Sequence, residues 1–277
     1  MRIARCSEGD RIFWASVDIE RRTLREIRGN FSSWAPKFTH GKDVKVLELD
    51  DSELSLADVR LLPPVEKTSK VEVVGGNYAQ HLAEIDLRAS EQPVVFLKAY
   101  GALIGANDPI RYPPLTTQLD YEVELVVVVG SHRIDHADPL SCVLGYAVGN
   151  DVSARDLQML GPRDISMDLL GAKSQDRTCG VGPWIVTTDE FSEGQPKFRM
   201  KLSVNGDIRQ DGNTGEMTWT IAELLRFSDQ RSSLEAGDII FTGTPTGVGL
   251  GSGRFLQRGD LVEAEIDGIG VLRNRVE

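Results

Sequence analysis

Two glutamates two residues apart, Glu122 and Glu124, stand in the run Tyr121-Glu122-Val123-Glu124-Leu125-Val126-Val127-Val128-Val129. A third acid follows in Gly149-Asn150-Asp151-Val152-Ser153-Ala154-Arg155-Asp156-Leu157-Gln158. Side chains on a strand alternate, so Glu122 and Glu124 share one face while Val123 and Leu125 take the other. Acids crowded on a half-buried face repel; each takes up a proton unless a cation sits between them. Three carboxylates with no Cys or His close by favour a hard, oxygen-seeking ion with open positions, Mg²⁺ or Mn²⁺ ahead of Zn²⁺. A lone Glu-x-Glu on an edge strand would read as a solvated pair. The surrounding residues argue for the metal.

Other groups add to it. In Gly75-Gly76-Asn77-Tyr78-Ala79-Gln80-His81-Leu82-Ala83-Glu84, His81 and Glu84 are neighbours on one helical face. There a carboxylate can orient the imidazole and raise its basicity toward water; the plain alternative is a solvated surface pair. Lys173, in Gly171-Ala172-Lys173-Ser174-Gln175-Asp176, could polarise a carbonyl or hand a proton to an enolate beside a metal. The run from Gly237 to Gly249 carries a strand into a glycine-rich turn whose N–H groups and hydroxyls could hold a carboxylate. It lacks the ending of a nucleotide P-loop, and no dinucleotide fingerprint occurs elsewhere. His132 and His136 sit in a polar loop without the context of a zinc pair. Lys98 ends a strand, where it reaches a site or covers apolar surface with its stem.

Strands must position these residues. β-favouring runs fall at 71–74, 94–97, 122–129, 145–148, 184–187, 199–204, 238–242 and 261–266. Helical pattern is confined to 78–84, with Asn77 as N-cap, and 221–227. Asn205-Gly206 signals a hairpin. Residues 1–65 read as short strands and turns, including Ile12-Phe13-Trp14 and Val44-Lys45-Val46-Leu47, ending at Leu61-Leu62-Pro63-Pro64. Proline donates no N–H and holds its predecessor extended, so this is the expected boundary. The reading is a strand-rich α+β protein, not a doubly wound sheet, with a small N-terminal domain (1–65) and a catalytic domain (66–277).

The chain has 277 residues, 31 basic and 42 acidic, for a net charge of −11. No Lys/Arg cluster matches a phosphate backbone, which argues against a nucleic-acid partner. Cys6, Cys142 and Cys179 are widely spaced and odd in number, which fits reduced thiols in a cytoplasm. No apolar stretch approaches the roughly 18 residues of a membrane span, and no signal-peptide core follows Met1.

Taken in order, these segments resemble the fumarylacetoacetate hydrolase family over roughly residues 70–277. The motifs that carry the resemblance are Asn77-Tyr78-x-x-His81-x-x-Glu84, Asp120-Tyr121-Glu122-x-Glu124-Leu125, Asn150-Asp151-Val152-Ser153-Ala154-Arg155-Asp156-x-Gln158, Lys173-Ser174-x-Asp176, Gly182-Pro183-Trp184, and Gly237-Asp238-Ile239-Ile240-x-Thr242-Gly243-Thr244-Pro245-x-Gly247-Val248-Gly249. It implies a β-rich roll around Mg²⁺ or Mn²⁺, in a homodimer, with Glu122, Glu124 and Asp151 matching the metal ligands. It also implies Lys173 beside the metal, Arg155, Gln158, Thr244 and Lys98 toward the substrate, and His81 with Glu84 on a closing lid. The chain departs from close relatives after Lys98, where Ala99 replaces a common proline, and around Gly171-Ala172-Lys173-Ser174-Gln175, where aromatic residues are missing. These changes fall where a substrate tail would pack. The expected reaction is hydrolytic C–C cleavage of an acylpyruvate-type β-diketo acid, releasing pyruvate through a metal-bound enolate. Oxaloacetate decarboxylation, or isomerisation, hydration or dehydration of a 2-keto acid through the same enolate, is the alternative.

Overall fold

In the computed structural model, which describes residues 1–158, 167–192 and 194–277, Val123–Val129 is a fully buried strand in the interior of one large sheet. Alternation divides it between two cores. Val123, Leu125, Val127 and Val129 enter one apolar cluster, and Val126 and Val128 enter the other. A strand covered on both faces is apolar throughout, which explains the unbroken valine run. Across the sheet the strands lie in the order Leu54–Ser55, Thr23–Ile27, Arg11–Asp18, Arg2–Glu8, Cys179–Thr187, Val143–Asn150, Val123–Val129, Ile239–Phe241, Val71–Gly75, Val94–Leu97. Neighbours along this path are antiparallel except Ile239–Phe241 and Val71–Gly75, which are parallel.

A second sheet, ordered Asp207–Asn213, Arg199–Val204, Leu261–Ile266, Gly270–Arg275, closes the first core together with the helix Ile221–Asp229. Its hairpin turns at Asn205 and Gly206, both left-handed (φ 52° and 86°), as the tight type I′ turn requires. The helix begins at a capping box: the Glu223 carboxylate accepts from the Thr220 N–H at 2.7 Å while the Thr220 hydroxyl accepts from the Glu223 N–H. The strand-rich α+β class is as expected, and both expected helices are present, as Ala79–Glu84 and Ile221–Asp229.

Three local expectations are corrected. Residues 1–65 hold a helix, Phe31–Gly41, whose Phe31, Trp34 and Phe38 share the second core with Val126 and Val128. Val44–Val46 is a single 3₁₀ turn rather than a strand, because the Asp43 carboxylate accepts the Lys45 N–H at 2.9 Å. Asn77 caps no helix: its amide bonds the Thr242 carbonyl and the Trp219 backbone, tying the segment before Ala79–Glu84 to the glycine-rich loop. The N-terminal strands also join the large sheet, through Arg2–Glu8 against Cys179–Thr187. Among the described residues no helix is long and apolar enough to cross a membrane.

Candidate active site

Glu122, Glu124 and Asp151 are buried and offer carboxylate oxygens all within 4.8 Å of one another. The first two leave the strand on the same face and line one cavity, while Val123 and Leu125 enter the core behind. Asp151 is brought alongside by the neighbouring strand: its N–H donates to the Glu122 carbonyl at 2.8 Å, and the Asn150 side chain accepts the Glu122 N–H at 3.0 Å.

Protein cations answer two of the three acids. Lys173 Nζ donates to Glu122 Oε2 at 2.6 Å and to Asp151 Oδ2 at 2.8 Å. Arg155 reaches Glu122 Oε1 at 2.5 Å, Asp120 Oδ2 at 2.8 Å and Gln158 Oε1 at 3.1 Å. Lys98 pairs with Asp151 Oδ1 at 2.7 Å and donates to the Lys173 carbonyl. Glu124 has no cationic partner among the described residues; its Oε2 accepts only the Gly243 N–H, at 2.7 Å.

The proton states divide accordingly. Burial alone would raise the Glu122 pKa, but the charges of Lys173 and Arg155 outweigh it and hold the carboxyl well below its ordinary range. Burial, reinforced by the charges of Asp151 and Glu122, pushes Glu124 well above that range. Lys173 is likewise buried, yet Asp151 and Glu122 raise its pKa and keep it an ammonium. A divalent cation held by the three acids would supply the charge that Glu124 lacks. The donor set is oxygen only, and each engaged carboxylate oxygen keeps a second lone pair, so these residues fit a hard ion.

Above the acids lies the short helix Ala79–Glu84. His81 is buried, lines the same cavity and turns Nδ1 toward Glu84 Oε2 at 3.6 Å. Burial lowers its pKa, against the pull of Glu122, so the imidazole is neutral near pH 7. The glycine-rich turn that the sequence offered as a carboxylate cradle holds carboxylates of this chain itself. Gly243 N–H serves Glu124, Gly247 N–H serves Glu84, and Gly249 N–H serves Asp120 at 2.6 Å. A side chain at Gly249 would place its Cβ 2.5 Å from Asp120 Oδ1, so this approach requires glycine.

The cavity, of about 200 Å³, brings together His81, Glu122, Glu124, Asp151, Arg155, Gln158, Lys173 and Thr244. Lys98 is not on its wall; its ammonium lies behind Asp151, where it positions rather than faces a ligand. The Thr244 hydroxyl donates to the Val123 carbonyl at 2.9 Å and accepts from Gln210 Nε2 at 2.8 Å. His132 and His136 lie on the surface, bonded to Glu235 and Asp229 at 2.7 Å each. Sequence reasoning gave no role to Asp120 or Gln210. Asp120 anchors Arg155 and the turn, and Gln210 holds both Thr244 and the Val123 N–H. The place of Asp120 beside Tyr121-Glu122 in its motif was the available signal; Gln210 gave none.

Residues 70–277 match the family model described as "Fumarylacetoacetate (FAA) hydrolase C-terminal". The chain belongs to the fumarylacetoacetate hydrolase family. It is an enzyme of that family, and residues 1–64 match the model "Rv2993c-like, N-terminal". Oxaloacetate tautomerase YisK of Bacillus subtilis is 39% identical, over 83% of this chain and 77% of its own. The crystal structure of a 5-carboxymethyl-2-hydroxymuconate delta-isomerase from Mycobacterium smegmatis superposes with a TM-score of 0.81 at 34% identity, covering 100% of this chain and 99% of that one. Fumarylpyruvate hydrolase from Pseudomonas aeruginosa, solved with Mn²⁺ and pyruvate, gives a TM-score of 0.68 at 31% identity, over 78% of this chain and 91% of that one. Fumarylacetoacetate hydrolase family enzymes are typically metal-dependent, in keeping with the acid triad.

Proposed function

We propose that this enzyme moves a proton on the carbon next to the carbonyl of a small 2-keto acid, as an oxaloacetate-type keto–enol tautomerase or isomerase. The observation that carries the reading is a buried His81 sharing one cavity with Lys173, whose Nζ is fixed between Glu122 and Asp151. Mg²⁺ or Mn²⁺ held by Glu122, Glu124 and Asp151 would supply Lewis-acid polarisation of the keto oxygen. His81, with Nδ1 turned to Glu84, offers Nε2 as the base that takes the C–H proton. Lys173 Nζ donates a hydrogen bond to the oxygen as negative charge develops there, and His81 then passes the proton it took from the carbon to that oxygen to give the enol, the reverse order giving the keto acid. Arg155 and Lys98 keep Glu122 and Asp151 in place during this step, and Gln158 and Thr244 bound the substrate.

Hydrolytic cleavage of an acylpyruvate is the second reading, favoured by the Glu84 carboxylate already oriented beside His81. There the same base would deprotonate water for attack on the distal carbonyl. A single assay separates the two. Loss of enol absorbance is followed for oxaloacetate and for several acylpyruvates, with Mg²⁺, with Mn²⁺ and after chelation, and pyruvate release is counted. Metal-dependent loss of oxaloacetate enol without pyruvate supports the tautomerase. Faster cleavage of an acylpyruvate would replace it with the hydrolase, and stoichiometric pyruvate from oxaloacetate with a decarboxylase.

The proposal includes a homodimer and a cytoplasmic location. Val94–Leu97 is an edge strand with Val94 and Leu97 exposed, an apolar edge that a second copy would cover. A monomer in sedimentation equilibrium at micromolar concentration would remove the dimer. The three cysteines are free and buried, and burial raises each thiol to about 12, in keeping with a reducing compartment.

A further inference from the structure

The cations on and behind the acidic floor are all committed. Arg155 serves Asp120 and Glu122, Lys173 serves Glu122 and Asp151, and Lys98 serves Asp151. Arg88 differs from them. It lines the same cavity from the segment that follows the lid helix, is exposed at the cavity mouth, and forms no ion pair among the described residues. Around it the wall is apolar, with Leu82, Leu87, Val94 and Phe96.

We propose that Arg88 selects 2-keto acids that carry a second carboxylate, by pairing with that distal group at the cavity mouth. The inference rests on the 2-keto acid reading above. The acids of the floor are answered by Lys98, Arg155 and Lys173, which leaves Arg88 as the cation on the cavity lining that can meet a second carboxylate in a chain of net charge −11. A guanidinium suits the task, because its planar fork matches both oxygens of a carboxylate and stays charged at any working pH. The apolar residues of the wall take up the carbon chain. Arg88 is thus a specificity residue that acts on binding.

Binding without turnover tests it. Difluoro-oxaloacetate, which has no C–H proton to lose, and its distal monoester are titrated calorimetrically into the Mn²⁺-loaded protein. The diacid should bind about 2- to 5-fold more tightly than the monoester, as expected for an ion pair made by an exposed guanidinium. Arg88→Gln should erase that preference with little change for the monoester, and Arg88→Lys should restore part of it. Equal binding of both ligands to the unaltered protein, or a preference that survives in Arg88→Gln, would overturn the assignment. Oxaloacetate turnover in the same preparations separates the two ideas. A diacid preference lost in Arg88→Gln, without turnover in the unaltered protein, sinks the tautomerase and keeps Arg88. Turnover with no preference keeps the tautomerase and sinks Arg88.

Discussion

The floor and the lid of the cavity are built in opposite ways. Glu124 stands on a strand hydrogen-bonded on both sides, to Val143–Asn150 and Ile239–Phe241, and buried in two cores. His81 stands on a helix of six residues with no side-chain cap, followed by Asp86 in a left-handed conformation and an exposed Leu87. Charges packed this closely must be held rigidly, since a shift of either Glu122 or Asp151 would strand a buried ammonium. A base that meets the ligand from above needs the reverse, because the ligand must pass it. The glycine-rich turn joins the two, giving one N–H to Glu124 below and another to Glu84 above. Placement of the His81–Glu84 pair is thereby tied to the same loop that steadies Glu124.

The largest expected effect lies in the floor. Glu124→Gln removes the one acid without a cationic partner, and it should abolish both Mn²⁺ binding and turnover while leaving the fold intact. A neutral amide replaces a group that the metal-free protein already favours protonated. The pH dependence follows from the same residue. With its pKa raised by burial, Glu124 favours the metal-free fold below its ordinary 4.5 and loses that contribution as pH rises through the folded value. Bound metal reverses this, so the Tm difference between Mn²⁺-loaded and chelated protein should widen as pH rises. Glu122, whose pKa is lowered, contributes in the other sense and loses its share only as pH falls below 4.5. Scanning calorimetry across this range checks both signs. A gap that narrows with rising pH, or a Glu124→Gln protein that binds Mn²⁺ normally, would show that the floor is organised otherwise.

The lid should separate from the floor in a second substitution. His81→Ala is expected to keep Mn²⁺ affinity, since no acid of the floor depends on the imidazole for a hydrogen bond, and to lower turnover by about 10²–10⁴-fold. Unchanged turnover would remove His81 as the base; lost metal would mean that lid and floor are one unit.

Much of the floor was legible in the sequence because its logic is local. Alternation alone puts Glu122 and Glu124 on one face, and the valines after them demand a buried strand. The lid pair was legible for the same reason, three residues apart on a helix. What escaped is long-range. Glu84 and Gly247 are 163 residues apart, and Glu124 and Gly243 are 119. No spacing rule announces that a glycine turn inviting a carboxylate is filled from within. Lys98 went behind Asp151 rather than to the cavity wall for a similar reason, since its partner follows a strand several places away across the sheet. The Phe31–Gly41 helix was missed despite a signal, Phe31, Trp34, Ala35 and Phe38 at i, i+3, i+4 and i+7. Pro36 stands inside it, and the flanking β-favouring runs drew the whole segment toward strands.

The smallest effect expected sharpens the same contrast at the protein surface. His132 and His136 also have carboxylate partners, and their bonds of 2.7 Å are shorter than the 3.6 Å between His81 and Glu84. Distance alone would rank them as the better dyads. Exposure reverses the ranking, because a pair open to water exchanges one set of hydrogen bonds for another and gains little. Their loop has other anchors: Arg226 Nε donates to the His136 carbonyl at 2.8 Å, and Asp229 also accepts the Leu234 N–H at 2.9 Å. His132→Gln and His136→Gln should therefore change stability by no more than about 0.5 kcal/mol each and leave metal affinity and turnover untouched. Thermal melts beside the metal titration used for His81→Ala read both quantities. A loss of metal affinity in either variant would mean that these histidines reach the chemistry from the surface, and that burial is not what distinguishes His81.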